Sequence, residues 1–425
     1  MSRINQQKVN AHIGLGRRAG FFAAALALAV AMMGTTIPTP LYALYRQQFG
    51  FSELMITVIF ATYAAGVIAS LLLFGHLSDD IGRRPVLLVA LAVAGLGAGC
   101  FLAADGLPLL LIGRLLFGLS AGVFTGTATA TLIDLGAPGR RARSTLVATA
   151  ANMLGLGLGP LIAGLLAQWA GSPLRLVFWI YLGLVAAAAI GVWAMPEAVA
   201  ARTRPDLRVR LVRIPRDMRT LFIDAGIAAF AGYAVIGLFT AVAPALLGQD
   251  LGVTSPAAIG AIVFVVFAAS TVGQVAVGKL GQDVSLRAGC AGLIAAMGLL
   301  ALSLGFSSLA LVIVAAVVSG LGHGLGFRAG LAGLNESAPA RLRAQVASSY
   351  FVVAYVGIAI PAIGVGVLTE LVGLRPAAYV FAAAVAVISA VGLGLLTQAR
   401  RPAAAPTRGE PLVSEPAAHE AAVTS

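Results

Sequence analysis

Few side chains in this sequence are equipped to do chemistry, and most of them sit inside or at the edge of long apolar runs. Asp79, Asp80, Arg83 and Arg84 crowd a turn at 75–85, with Gly75 and Gly82 spaced for tight bends. Arg114 lies within an apolar run, as do His323 and Arg328 in a later one. An ionisable group there has given up hydration, so it must face a partner or a water-filled path. His323 either carries a proton near neutrality or is a hydrogen-bonded packing residue between Gly322 and Gly324. Arg114 either lines a cavity or snorkels to the interface. Arg328 is placed to pair with Glu336 or to reach an aqueous vestibule, and Asp224 to pair with Arg219.

Several chemistries are excluded. No nucleophile–base pair, phosphate-cradling glycine loop or metal-ligand spacing falls outside the apolar runs, so neither an enzyme nor a bound metal or cofactor is expected. Cys100 and Cys290 are isolated within apolar segments and act as small hydrophobes. The net charge of +12 does not indicate nucleic acid, because the basic residues punctuate apolar runs instead of clustering on one soluble face.

The elements that hold these residues are membrane spans. With 60% hydrophobic and only 10% charged residues in 425, the composition is that of a polytopic membrane protein in a lipid bilayer. Twelve runs are long enough to cross about 30 Å of hydrocarbon: 20–44, 54–74, 86–104, 107–132, 144–167, 176–194, 221–247, 257–277, 288–306, 309–332, 346–371 and 377–396. Apart from the spans, Lys and Arg gather on one side, with Arg46, Arg175 and Arg375 on the other. Positive residues face the cytoplasm, which puts both termini there. The first run continues into Pro38–Thr39–Pro40 with no cleavage signal, so it reads as an uncleaved helix.

The expected organisation is a cytoplasmic segment 1–18, a six-helix bundle 19–197, a basic linker 198–218, a second six-helix bundle 219–398 and a disordered tail 399–425. The halves repeat weakly at an offset of roughly 200 residues. Pro244, Thr240 and Glu336 correspond to Pro40, Thr36 and Asp134, and 278–287 is a degenerate copy of the charged turn, with Gln282 and Leu286 in place of Asp79 and Arg83.

The turn Gly75, Asp79, Gly82, Arg83, Arg84 resembles the loop signature of the major facilitator superfamily of secondary transporters, Asp80 standing where the family prefers a basic residue. Arg114 followed by Gly118 and Gly122 resembles the family's fourth-helix motif, and Gly155, Gly159, Pro160 and Gly164 its antiporter-type fifth-helix motif. The resemblance implies an all-α fold of twelve transmembrane helices in two pseudo-symmetric bundles that alternate access to a site between them. It further implies that Asp79 docks on the start of the eleventh helix, near Gln345, while Arg83 pairs with Asp134 to latch the outward-facing state. Arg114, like His323, is a candidate for proton coupling. For the fifth-helix motif, plain glycine packing around a proline kink remains an alternative to an exporter role.

In this family the first, fourth, seventh and tenth helices line the cavity. That nominates Thr36, Thr39, Tyr42, Arg114, Tyr233, Thr240, His323 and Arg328, with Asn152, Tyr350 and Tyr355 nearby; each hydroxyl has the alternative of satisfying kinked backbone. No Asp or Glu falls near mid-membrane, which favours neutral or anionic cargo. The expected function is proton-coupled efflux of small organic molecules, as in the drug/proton antiporter branch, by a monomer in the bacterial inner membrane. An importer or facilitator of an organic acid or sugar, and a non-transporting receptor or scaffold, are the alternatives.

Overall fold

The computed structural model describes residues 15–74, 77–137, 139–197, 214–339 and 342–398, with no side-chain description for Leu77 and Asp79. The segment 1–14, most of the linker and the 399–425 tail lie outside the described residues, as do Gly75 and Arg341.

All twelve expected spans are helices, and no strand occurs among the described residues. They are α1 (Arg17–Phe49), α2 (Glu53–Phe74), α3 (Arg83–Leu102), α4 (Leu107–Leu135), α5 (Arg141–Trp169), α6 (Pro173–Ala194), α7 (Arg216–Asp250), α8 (Pro256–Leu280), α9 (Gln282–Gly305), α10 (Leu309–Ser337), α11 (Arg343–Val372) and α12 (Leu374–Gln398). The first six form one bundle and the last six another. Helix α1 begins at Arg17 and α7 at Arg216, slightly before the expected boundaries. Large apolar side chains such as Phe22, Trp179 and Ile190 point outward, as a lipid-facing surface requires.

Two spans are broken at matching depths. In α1 the α-helix ends at Thr36 and resumes at Tyr42 after a short 3₁₀ turn, because Pro38 and Pro40 have no N–H to continue the ladder. In α7, around Pro244, the chain widens to π-turns at Leu238–Val242 and Leu246–Asp250. The hydroxyls at the breaks are spent on backbone carbonyls. Thr36 Oγ1 lies 2.7 Å from Leu156 O, and Thr240 Oγ1 donates to Ile236 O at 2.7 Å.

The bundles meet chiefly through α5 against α8 and α2 against α11. The α5–α8 seam is set by reciprocal glycine–carbonyl contacts. A Cβ on Gly164 would lie 2.3 Å from Pro256 O, and one on Gly260 would lie 2.2 Å from Pro160 O. No side chain fits at either place, so this seam packs backbone against backbone.

Candidate substrate cavity and charged turn

A cavity of about 540 Å³ lies between the bundles, walled by α1, α2, α4 and α5 on one side and α7, α8, α10 and α11 on the other. Its inner end is roofed by aromatic side chains from both bundles: the Tyr63 and Tyr355 hydroxyls are 3.4 Å apart, and Tyr233 packs on Tyr355 with ring centroids at 5.6 Å. Its wall extends to Ser78, Arg83, Thr145 and Ala344 at the arginine-rich ends of the helices. The opposite ends are closed by bonds that cross the interface. Gln249 reaches Glu53, the Leu54 N–H donates to Glu370 Oε1 at 3.3 Å, and Ser255 Oγ lies 2.9 Å from Gln168 Oε1. The protein is therefore closed on the arginine-poor side.

Of the nominated wall residues, Thr36, Asn152, Tyr233, Thr240, His323, Arg328 and Tyr355 line this cavity. Thr39, Tyr42, Arg114 and Tyr350 do not. Thr39 lies in the α1 break and Tyr42 just beyond it, both buried in the bundle, and the Tyr350 hydroxyl is spent on Phe327 O at 2.9 Å.

Arg114 sits behind the wall, 1% exposed. Its guanidinium donates to Thr35 O, to Ile59 O at 3.4 Å and to Phe60 O at 3.3 Å, and lies 4.9 Å from the Tyr63 ring centroid. Carbonyl dipoles and the ring face take the place of a carboxylate partner. Arg114 thus clamps α1 and α2 to α4 and fixes the wall residues Thr35 and Tyr63. Gly118 lets α4 approach closely, since a Cβ there would lie 2.1 Å from Tyr63 O. Arg114→Lys is expected to lower the detergent thermal midpoint by several degrees, because an ammonium cannot span three carbonyls in a planar fork, a loss of about 2 kcal/mol. A midpoint equal to wild type would contradict the clamp.

On α10, His323 is 2% exposed, and its Nδ1 lies 2.8 Å from Ser270 Oγ on α8 while Nε2 has no partner. Its ring packs against Tyr233 at 5.1 Å and parallel to Phe327 at 5.7 Å. Arg328 Nη1 is likewise buried without a partner. The expected ion pairs Arg328–Glu336 and Asp224–Arg219 do not form among the described residues; the Asp224 side chain is buried early in α7. Glu336 sits almost at the end of α10, eight residues beyond Arg328 and past the reach of adjacent helical turns.

At the charged turn, Arg83 Nε lies 3.2 Å from Asp134 Oδ2 and its Nη1 donates to Ser78 Oγ at 2.7 Å. This pair joins α3 to α4 within one bundle, so by itself it braces the turn and does not span the interface. The docking of Asp79 on α11 falls outside the described residues. Gly82 takes φ 107°, a backbone conformation that only glycine adopts without strain.

Sequence reasoning missed Glu197. This carboxylate, just past α6, accepts the backbone N–H of Arg83 at 2.9 Å and of Arg84 at 3.0 Å, capping α3 at its positive end. Arg84 also stacks over Trp193 of α6 at 5.6 Å. The available signal was a lone acid on a helix end whose neighbouring charges are nearly all arginine. Ser270, Tyr63 and Thr35 were also missed, since a short polar residue in an apolar run does not reveal which way it faces.

The Major Facilitator Superfamily sequence profile matches residues 24–254 and, again, 225–423. The chain belongs to that superfamily. It is a multi-pass membrane protein of a transporter superfamily. It is 29% identical over 289 residues to the chloramphenicol resistance protein of Pseudomonas aeruginosa, covering 64% of this chain and 66% of that one. To multidrug resistance protein D of Escherichia coli K12 it is 28% identical over 241 residues, covering 53% and 58%. To a triacylglyceride transporter of Mycolicibacterium hassiacum it is 32% identical over 190 residues, covering 44% and 32%. The chain thus spans less than two thirds of the length of these relatives.

Solved structures share the superfamily fold. A bacterial homolog of the human lysosomal transporter Spinster, inward-facing and unoccupied, superposes with TM-score 0.69 at 15% identity, covering 90% of this chain and 98% of that one. The nucleoside transporter NupG superposes at 0.71 with 11% identity, covering 89% and 99%.

Proposed function

We propose that this transporter exports small neutral or anionic organic molecules from the cytoplasm across a bacterial inner membrane, driven by protons, through alternating access of its two bundles. The carrying observation is the cavity between the bundles, walled by both halves, closed at the arginine-poor end and without a carboxylate among its described lining residues. A low-dielectric wall whose charges are Arg83 and Arg328 disfavours a cation and admits neutral or anionic cargo. By the distribution of basic residues the cavity faces the cytoplasm, ready to load. His323 is the wall imidazole we assign to the coupling proton, its Nδ1 fixed by Ser270 and its Nε2 without a partner. Arg114, behind the wall, acts through the position of Tyr63 and Thr35. Similarity to drug-resistance proteins supports export over import.

The test uses inside-out vesicles with an imposed pH gradient, acid inside. Chloramphenicol is expected to accumulate inside, and collapsing the gradient to abolish accumulation. Accumulation in right-side-out vesicles alone would show import. Vigorous gradient-driven transport of ethidium would overturn the charge selectivity.

A further inference from the structure

Deepening this reading of the same cavity, we infer that its α10 wall is a recognition site for planar aromatic acids: the acidic group on Arg328 Nη1, the ring against Phe327 and Tyr233, and a second polar group on His323 Nε2.

Both polar atoms are buried and lack a partner, on a wall where unmet hydrogen bonds are costly. The His323 ring is held in place by Ser270 Oγ on Nδ1 at 2.8 Å, leaving Nε2 as the open position. Arg328 also borders a recess lined by Gln282 and Asp283. The residue is half-buried, with Nη1 shielded and unpartnered, and a guanidinium suits a carboxylate in a bidentate pair.

Between the two atoms the wall is aromatic. Phe327 is stacked between His323 and Tyr350 with Tyr233 packed on it at 5.2 Å, so this wall offers a ligand ring edges and not an open face. Five residues separate His323 from Arg328, an advance of about 7.5 Å along the helix with a turn of about 140° around it, so a ligand meeting both carries its two polar groups well apart. On the facing wall Arg83 is engaged by Asp134 and Ser78. Thr125 Oγ1 donates to Ala121 O at 2.8 Å and Thr129 Oγ1 to Thr125 O at 2.7 Å, so those hydroxyl hydrogens are spent inside α4.

The test is equilibrium binding to the full chain in lipid nanodiscs, with labelled 4-hydroxybenzoate competed by benzoate, 4-hydroxybenzamide and phenyltrimethylammonium. The acid is expected to bind about tenfold tighter than its amide, the scale of one charge-assisted hydrogen bond, and the cation not to compete. Arg328→Gln should erase the acid–amide difference while leaving amide affinity within about twofold. His323→Phe keeps the stacked ring but removes Nε2, and should erase the advantage of 4-hydroxybenzoate over benzoate. Equal binding of acid and amide, no measurable binding of the acid, or an acid preference that survives Arg328→Gln in a variant of normal thermal midpoint overturns the inference. Binding as expected without gradient-driven flux of chloramphenicol would retain the site and reject the export reading. Flux without acid preference would do the reverse.

Discussion

Arg83→Ala is expected to lower transport at least about tenfold while leaving membrane insertion unchanged. Arg83 is 9% exposed, its side chain serves Asp134 and Ser78 among the described residues, and its backbone N–H is held by Glu197. Removing it leaves Asp134 facing the turn without its counter-charge. For a partly buried pair that costs about 1–3 kcal/mol, and 1.4 kcal/mol in the balance between two conformations is a factor of ten in their populations. Arg83→Lys keeps the charge but cannot serve Asp134 and Ser78 with one fork, so its transport should fall between alanine and wild type. Because Glu197 binds backbone, Glu197→Gln should weaken the α3 cap without mimicking Arg83→Ala. Initial rates of gradient-driven uptake in vesicles, normalised to inserted protein, are the measurement. Wild-type rates in Arg83→Ala would remove the turn from the transport cycle.

The second large effect is expected at the α5–α8 seam. Gly260→Ala places a methyl 2.2 Å from Pro160 O, about 1 Å inside van der Waals contact, and both groups are held by helix backbone. The helices must part, and they part near the closed end of the cavity. Because the seam joins the two bundles, the strain falls on this closed arrangement and favours the one open on the other side, by about 1–3 kcal/mol. In a background lacking Cys100 and Cys290, a cysteine placed at Thr36 should be labelled from the arginine-poor side at least about fivefold faster in Gly260→Ala than without it. Gly278→Ala serves as control, since its Cβ would meet nothing within 4 Å. Equal labelling in the two would mean that the seam does not control closure.

The membrane class, the twelve spans and the charged turn could be read from the chain because bilayer thickness and backbone satisfaction leave few arrangements for such long apolar runs. The superfamily could be named from Gly82, Arg83, Arg84 and the spaced glycines of α4 and α5, because close helix approach and tight turns restrict residue choice locally. Which polar residues face the cavity was not legible. Arg114 and Arg328 look alike in sequence, each an arginine in an apolar helix, yet one is fully engaged by carbonyls of α1 and α2 and the other lines the cavity with a buried Nη1 that has no partner. The rotation of each helix about its axis makes that difference, and it is set by packing against neighbours remote in the chain. Glu197 eluded the sequence for the same reason, being separated from the helix it caps by three intervening spans. Sequence by itself determined that this is a two-bundle membrane transporter with a charged turn at one rim. Only the tertiary structure decided which charges are spent on joining neighbouring helices and which keep an unpartnered nitrogen at the cavity, because that depends on which carbonyls and carboxylates the packed helices bring within about 3 Å of each side chain.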